Sequence, residues 1–519
     1  MRSLSTVVAA SCLLSLLPVA VAVPGPNTLG MKFDKRRVSA VDSPLRRRQQ
    51  NTVLAGLDNE LALYLINVTV GTPPQPFSLQ LDTGSSDIWF PSNNAQICQQ
   101  DGGQDCPAGT YDASASSTFS EPDLPEFQIE YVDGTKIGGT YITDVLNIGN
   151  TKLTNLTMAA ATSLNSLGLG IMGVGFSADE SLAAQGGSSY PNIVDVLQSE
   201  GFIESRSYSL WLDDLDSSTG SILFGGVDSD KFTGDLVALP IQLDSQSNRI
   251  TSFTVAWTGL KVTGSGNNAD MSPSAPVPAI LDSGTTDTLL PDDIATAIYN
   301  GVGVTMSNEL GAVVPCELAN DDLKFAFSFG GDGGPTVEVP LSEFVVPIIT
   351  QSGRSPKFHD GKDACQFAIE QAGQNPILFG DSFLRSAYVV YDLENQNIGL
   401  AQTNFNASGS NGKVQAIGSS SGIPGVTATA TAASVAQSFS GIPRESDEVT
   451  ATATGDIGSG QTSFSATFQL SATGSGGSSA TSSGVASSNL RPMPFEWQSW
   501  AISSVVMLGM VLGGGLVLL

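Results

Sequence analysis

Histidine is almost missing: His359 is the only one in 519 residues. One imidazole cannot build a multi-histidine metal site. His359, beside Asp360, reads as an exposed loop residue and not as the base of a serine or cysteine relay. Cysteine is scarce as well, with five in the chain. Cys12 lies in an N-terminal apolar run, and Cys98, Cys106, Cys316 and Cys365 remain as an even set, better used as disulfides than as nucleophiles. Spacing favours Cys98 with Cys106 and Cys316 with Cys365, although four cysteines allow three pairings. Positive charge is short too: 22 Lys and Arg face 50 Asp and Glu, for a net charge of −28. Nucleic acid, whose phosphates demand clustered cations, is thereby excluded as a partner. The deficit deepens between residues 49 and 488, where 13 basic residues face 47 acidic ones, because eight cations precede residue 49. A body so charged repels itself least in acid, which points to an acidic working environment. No Gly-rich loop carries the Lys that a phosphate cradle needs.

Long uncharged apolar runs are confined to the two ends. Residues 1–22 carry one Arg, then Leu13, Leu14, Leu16 and Leu17, then Ala20-Val21-Ala22. This is the layout of a signal peptide with its cleavage site, and it directs the chain into an oxidising secretory route. Residues 23–48 contain Lys35-Arg36-Arg37 and Arg46-Arg47-Arg48, clusters that resemble kexin-type processing sites at the end of a removable propeptide. A basic segment against an acidic body can also hold it latent until carboxylates protonate. The alternative is a leader without a regulatory role. From 406 to 490 Ser, Thr, Gly and Ala dominate, with few large apolar residues to offset the entropy of folding, so a disordered, O-glycosylated stalk is expected. Ala501 to Leu519 then runs 19 residues without charge, after Arg491 and Glu496. Residues 491–519 thus read as a GPI-attachment signal, with Ser487, Ser488 and Asn489 as attachment candidates and the membrane as a partner. A tail-inserted helix is the alternative, since the length just suffices to span, but no charge follows Leu519.

The 41% hydrophobic content and the 519-residue length imply a globular body of more than one domain. Between about 51 and 404, short alternating or apolar runs such as Leu61 to Val70, Phe127 to Tyr131 and Tyr388 to Tyr391 are separated by Gly, Asp, Asn and Pro. That pattern predicts an all-β body. Helices are few and short, with 193–200 and 291–300 the best candidates.

Within this body one phrase occurs twice, as Leu81-Asp82-Thr83-Gly84-Ser85-Ser86-Asp87 and Leu281-Asp282-Ser283-Gly284-Thr285-Thr286-Asp287. Two equivalent acids imply a paired site. Hydrolysis of an amide needs a nucleophile, a base to create it and an acid to protonate the departing nitrogen. Two adjoining carboxyls supply all three through water, because close neighbours cannot both ionise and one keeps its proton. Gly84 and Gly284 allow a tight turn that brings backbone amides to each carboxylate, and Ser85 and Thr285 can donate to it. Each of these features favours a fixed carboxylate of low pKa.

Residues from about 60 to 404 resemble the pepsin family of aspartic endopeptidases. The likeness starts at Tyr64-Leu65-Ile66-Asn67-Val68-Thr69-Val70-Gly71-Thr72-Pro73-Pro74-Gln75 and runs through Phe77 to Pro91, including Trp89. It continues at Ile129-Glu130-Tyr131-Val132-Asp133-Gly134-Thr135, Ile171-Met172-Gly173-Val174-Gly175 and Ile377-Leu378-Phe379-Gly380-Asp381. The resemblance implies a bilobal all-β fold with a cleft between an N-terminal lobe (49–240) and a C-terminal lobe (241–405). It implies Asp82 and Asp282 as the catalytic dyad, Ser85 and Thr285 as outer partners, and Thr83 and Ser283 gripping across the lobe interface. An apolar pair followed by Gly threads behind each catalytic loop. Tyr131 would sit on a hairpin flap turned at Gly134, its phenol hydrogen-bonded toward Trp89, over an extended polypeptide substrate. Water is the nucleophile, so no metal or organic cofactor is expected, and the chain is expected to act as a monomer.

The tether resembles that of the yapsin-like, GPI-anchored fungal members, which prefer basic residues. Asp133 is the specificity candidate, since an acid there can attract Lys or Arg; an Asp before Gly is equally ordinary turn chemistry. Asn67, Asn155 and Asn406 head N-glycosylation sequons, with Asn67 the weakest because it falls in a strand. The functional rival is a catalytically silent pepsin-like protein that binds at the cell wall.

Overall fold

The computed structural model describes residues 53–59, 63–100, 106–131, 134–165, 168–217, 219–245, 247–264, 266–307, 310–348, 355–407, 412–431 and 435. The signal peptide, the propeptide and the attachment signal, with Ser487, Ser488 and Asn489, lie outside them, as does Asp133.

Strands dominate, as the alternation of apolar and polar residues demands. Tyr64–Val70 buries Tyr64, Ile66, Val68 and Val70 and turns the intervening residues outward. The largest sheet orders fourteen strands. One stretch of it, from Tyr64–Val70 to the long hairpin Lys136–Ile148 and Thr151–Leu164, belongs to the first half of the chain. The second half has its own sheet of eight strands, in which Thr254–Gly264 pairs with Val277–Leu281 and Lys324–Phe329. A smaller four-stranded sheet carries Cys365, bonded to Cys316. The other disulfide joins Cys98 and Cys106, so the pairing that spacing favours is the one found.

The two longer helices fall where expected and owe their limits to local chemistry, while Gln96–Gln99, Ser181–Ala184 and Asp381–Leu384 are single turns that the sequence reading did not name. Ile193–Ser199 begins at Asn192, whose side chain accepts from the amides of Val194 and Asp195 while Asp195 answers at the Asn192 amide. Asp292–Val302 has two acids in its first turn and stops at Gly303, which takes the left-handed conformation.

Two boundaries depart from the sequence reading. A cut at 240 would leave Ala387–Asp392 and Asn397–Thr403 in the second lobe, yet they pair with Ser207–Trp211 and Phe232–Pro240. The chain therefore returns at its end to close a sheet shared by both halves. The segment from 406, expected to be disordered, instead carries regular structure among its described residues. Val414–Ala416 pairs with Gly226–Asp228, and Val426–Thr429 adds a parallel strand to Phe232–Pro240. Composition averaged over this segment hides a few well-placed anchors. Ile417 and Ile423 are buried against Trp211, Leu236, Tyr388 and Val390 on the outer face of the shared sheet. Burial of such side chains contributes roughly 1.5–3 kcal/mol each, enough to hold a short segment down.

Candidate active site

The two copies of the repeated phrase meet face to face. Gln75–Asp82 ends at the first acid, and Val277–Leu281 runs up to the second. Behind the first loop Ile171–Gly173 lies parallel to Gln80, Leu81 and Asp82, and behind the second Ile377–Phe379 lies parallel to Ala279, Ile280 and Leu281. These are the two apolar threading segments of the sequence reading, one per copy. The Gly that follows each pair is dictated by space. A Cβ on Gly380 would stand 2.3 Å from the Asp287 carbonyl oxygen, and one on Gly173 would stand 2.7 Å from that of Asp87.

Asp82 and Asp282 are both fully buried. A Cβ on Gly84 would lie 2.6 Å from Asp282 Oδ1, and one on Gly284 would lie 2.3 Å from Asp82 Oδ1, so each loop's glycine faces the opposite carboxyl. The Gly84 amide donates to Asp82 Oδ1 at 2.8 Å and the Gly284 amide to Asp282 Oδ1 at 2.8 Å. Outside them, Ser85 Oγ donates to Asp82 Oδ2 at 2.5 Å and Thr285 Oγ1 to Asp282 Oδ2 at 2.7 Å. The halves are crossed beneath the carboxyls. Thr83 Oγ1 donates to the Leu281 carbonyl and accepts from the Ser283 amide, while Ser283 Oγ donates to the Leu81 carbonyl and accepts from the Thr83 amide. Gln80 Nε2 adds a link to the Gly284 carbonyl at 3.0 Å.

The low pKa expected of each carboxylate is not found at Asp282. Burial first, and then the neighbouring Asp82, hold it well above the usual carboxylate range, and the bonds from Thr285 and Gly284 do not outweigh them. Asp381, next to the second threading segment, is raised chiefly by burial too, and neither of its oxygens has a hydrogen-bond partner among the described residues.

Tyr131 is buried, and the Trp89 indole Nε1 donates to its phenol oxygen at 2.8 Å. It stands at the end of Phe127–Glu130, which pairs with Lys136–Ile148. Gly134 has φ 84°, and its amide donates to the Tyr131 carbonyl, closing the hairpin turn. His359 is exposed, as are Asn67, Asn155 and Asn406. Asn67 lies in a strand and accepts from Ser78 Oγ, while Asn155 has φ 57°. Reasoning from sequence missed the role of Asp87 and Asp287, the buried acids that close each copy, although the repeat itself displays them. Ser181, Tyr190 and Glu180, which gather around Asp87, carry no sequence signal and come together only in the fold.

The sequence profile of the eukaryotic aspartyl protease family matches residues 63–403. Over 423 residues the chain is 39% identical to a probable aspartic-type endopeptidase OPSB of Trichophyton verrucosum, a match that spans 79% of this chain and 83% of that protein. It is 37% identical over 365 residues to secreted aspartic protease 3 of Candida albicans, with 69% and 83% covered. The crystal structure of the aspartic proteinase from Irpex lacteus superposes with a TM-score of 0.54 at 23% identity, across 69% of this chain and 100% of that one. At that identity the likeness speaks for the bilobal all-β fold alone.

Proposed function

The chain belongs to the eukaryotic aspartyl protease family and is an aspartic-type endopeptidase; from that premise we propose that Asp82 and Asp282 act as its catalytic dyad. The observation that carries this reading is the crossed packing of Gly84 and Gly284, each against the opposite carboxyl. Asp282, raised by burial and by its neighbour, holds the proton, which leaves Asp82 as the anion of a pair that cannot both ionise. A water held between them loses a proton to Asp82 as its oxygen bonds to the substrate carbonyl carbon, and Asp282 gives its proton to the carbonyl oxygen. The tetrahedral intermediate then collapses. The carbon–nitrogen bond breaks, the proton on Asp82 passes to the leaving amine, and a hydroxyl proton returns to Asp282 as the acid product forms. Tyr131, held by Trp89, covers the cleft and helps exclude bulk water. Hydrolysis of a mixed peptide library at acidic pH tests the assignment. Asp82→Asn and Asp282→Asn are each expected to lose cleavage, and equal cleavage by either variant and the wild type overturns it.

The finer reading is a zymogen, secreted and then tethered outside the cell through a GPI anchor, working in acid as a monomer. It is supported by the apolar leader, the paired basic clusters, the Ser/Thr-rich segment, the uncharged tail and the acidic body. The likeness to secreted aspartic protease 3 of Candida albicans supports the secretory part. Release of the protein from membranes by phosphatidylinositol-specific phospholipase tests the anchor, and retention counts against it. A preference for Lys or Arg before the cut would rest on Asp133. Comparing Lys- with Phe-containing peptides in Asp133→Thr tests this, and an unchanged preference removes the role.

A further inference from the structure

The acid that closes the first copy of the repeat is wired to the hairpin that bears Tyr131, and its counterpart in the second copy is not. Asp87 is buried, and both of its oxygens are used. Asp87 Oδ2 accepts from the Ser181 amide at 2.8 Å. Ser181 Oγ in turn donates to the carbonyl of Gln128 in the hairpin strand Phe127–Glu130. Gln185 Nε2 donates to the same carbonyl at 2.8 Å and reaches Ser181 Oγ at 3.0 Å. On the other side, Asp87 Oδ1 accepts from the Tyr190 hydroxyl at 2.6 Å. The Tyr190 ring stands edge-on to Tyr141 at 5.6 Å, and Tyr141 stands edge-on to Phe127 of the same strand at 5.3 Å. Glu180, fully buried, fixes the start of this second route by accepting from the Tyr190 amide at 2.7 Å. In the second copy, Asp287 is as deeply buried but accepts from Gln366 Nε2 at 2.8 Å, on the disulfide-bearing strand Ala364–Phe367.

We propose that Asp87 is a positioning residue, which docks the base of the Tyr131 hairpin to the Asp82 loop through Ser181 and Tyr190. Only a side chain that hydrogen-bonds on two opposite sides can do this, and Asp87 lies five residues beyond Asp82 on a loop already fixed by its own hydrogen bonds. The Trp89–Tyr131 bond holds the hairpin at its far end, whereas the Asp87 routes hold its base. The geometry of closure over the substrate then depends on a buried residue whose two oxygens are both taken by Ser181 and Tyr190. The inference rests on the reading of Asp82 and Asp282 as the dyad.

The experiment uses the full chain and two readouts: kcat/KM on an eight-residue peptide, and hydrogen–deuterium exchange of residues 127–131. Asp87→Ala, Ser181→Ala and Tyr190→Phe are each expected to lower kcat/KM by about tenfold and to speed exchange in that strand. Asp87→Asn is expected to restore both, since its amide oxygen can accept from Ser181 while its NH2 donates to the Tyr190 oxygen. Asp287→Ala serves as the comparison for simple loss of a buried acid and is expected to leave exchange at 127–131 unchanged. Wild-type kinetics and exchange in Ser181→Ala and Tyr190→Phe overturn the proposal, as does faster exchange in Asp287→Ala equal to that in Asp87→Ala. Full activity in Asp82→Asn overturns the dyad instead, and the exchange readout still judges the hairpin.

Discussion

At the level of single residues, hydroxyls and glycines do as much as the two acids. The Ser283 hydroxyl both donates to the Leu81 carbonyl at 3.0 Å and accepts from the Thr83 amide at 3.3 Å. Ser283→Ala leaves a buried amide and a buried carbonyl short of a partner across the interface between the halves. A loss of about 1–3 kcal/mol in unfolding free energy is expected, read from urea titrations, with Ser283→Thr close to wild type. An equal loss in both variants would trace the effect to side-chain volume. The acids, glycines and hydroxyls of the repeat were legible because chemistry fixes their types and their spacing. The raised pKa of Asp282 was not, because hydrogen-bond donors can be read from a motif but depth of burial cannot.

Among the elements, the strands and the two longer helices were legible from periodicity and capping, as Asn192 and Gly303 illustrate. Segment 412–431 was misread because a polar composition does not exclude docking when a few apolar side chains meet a ready apolar face. Its strand Val426–Thr429 also covers what would otherwise be an open edge at Phe232–Pro240. Ile417 is fully buried, and its amide donates to the Gly225 carbonyl at 2.8 Å. Ile417→Ala should therefore lower stability by about 2–4 kcal/mol. A chain ended after residue 407 should melt earlier than one ended after 435 and self-associate through the exposed Trp211, Tyr388 and Val390 face. Coincident melting curves and a shared monomer peak in size-exclusion chromatography would show that the segment rests on the body without stabilising it.

For the whole molecule, the acidity seen in the composition gains a mechanism once burial is known. Net charge alone says that the body repels itself less in acid; it does not say which carboxyls matter. Asp87, Glu180, Asp228, Glu343, Asp381 and Asp392 are all raised, each chiefly by burial, and Glu180 is pushed up from 4.5 to about 9. A carboxyl whose pKa is higher in the fold than in the unfolded chain binds its proton more tightly when folded. Its contribution is fully present below the unfolded pKa and is lost as pH rises through the folded one. Asp112 and Asp270 are lowered instead, by bonds from Ser114 and Ser272, and Asp144 is lowered because bonds from Thr118 and Tyr111 outweigh its burial. Those three contribute stability that is lost only as pH falls below the ordinary carboxylate range, so the larger, raised set governs the neutral side. The urea midpoint is therefore expected to fall steadily between pH 4.5 and pH 9, the interval that the Glu180 shift spans. Glu180→Gln keeps the shape and the acceptor for the Tyr190 amide but has no proton to lose, so it should flatten that decline. A decline as steep in Glu180→Gln as in the wild type would place the alkaline weakness elsewhere, with Asp381 beside the Asp282 loop the next residue to replace.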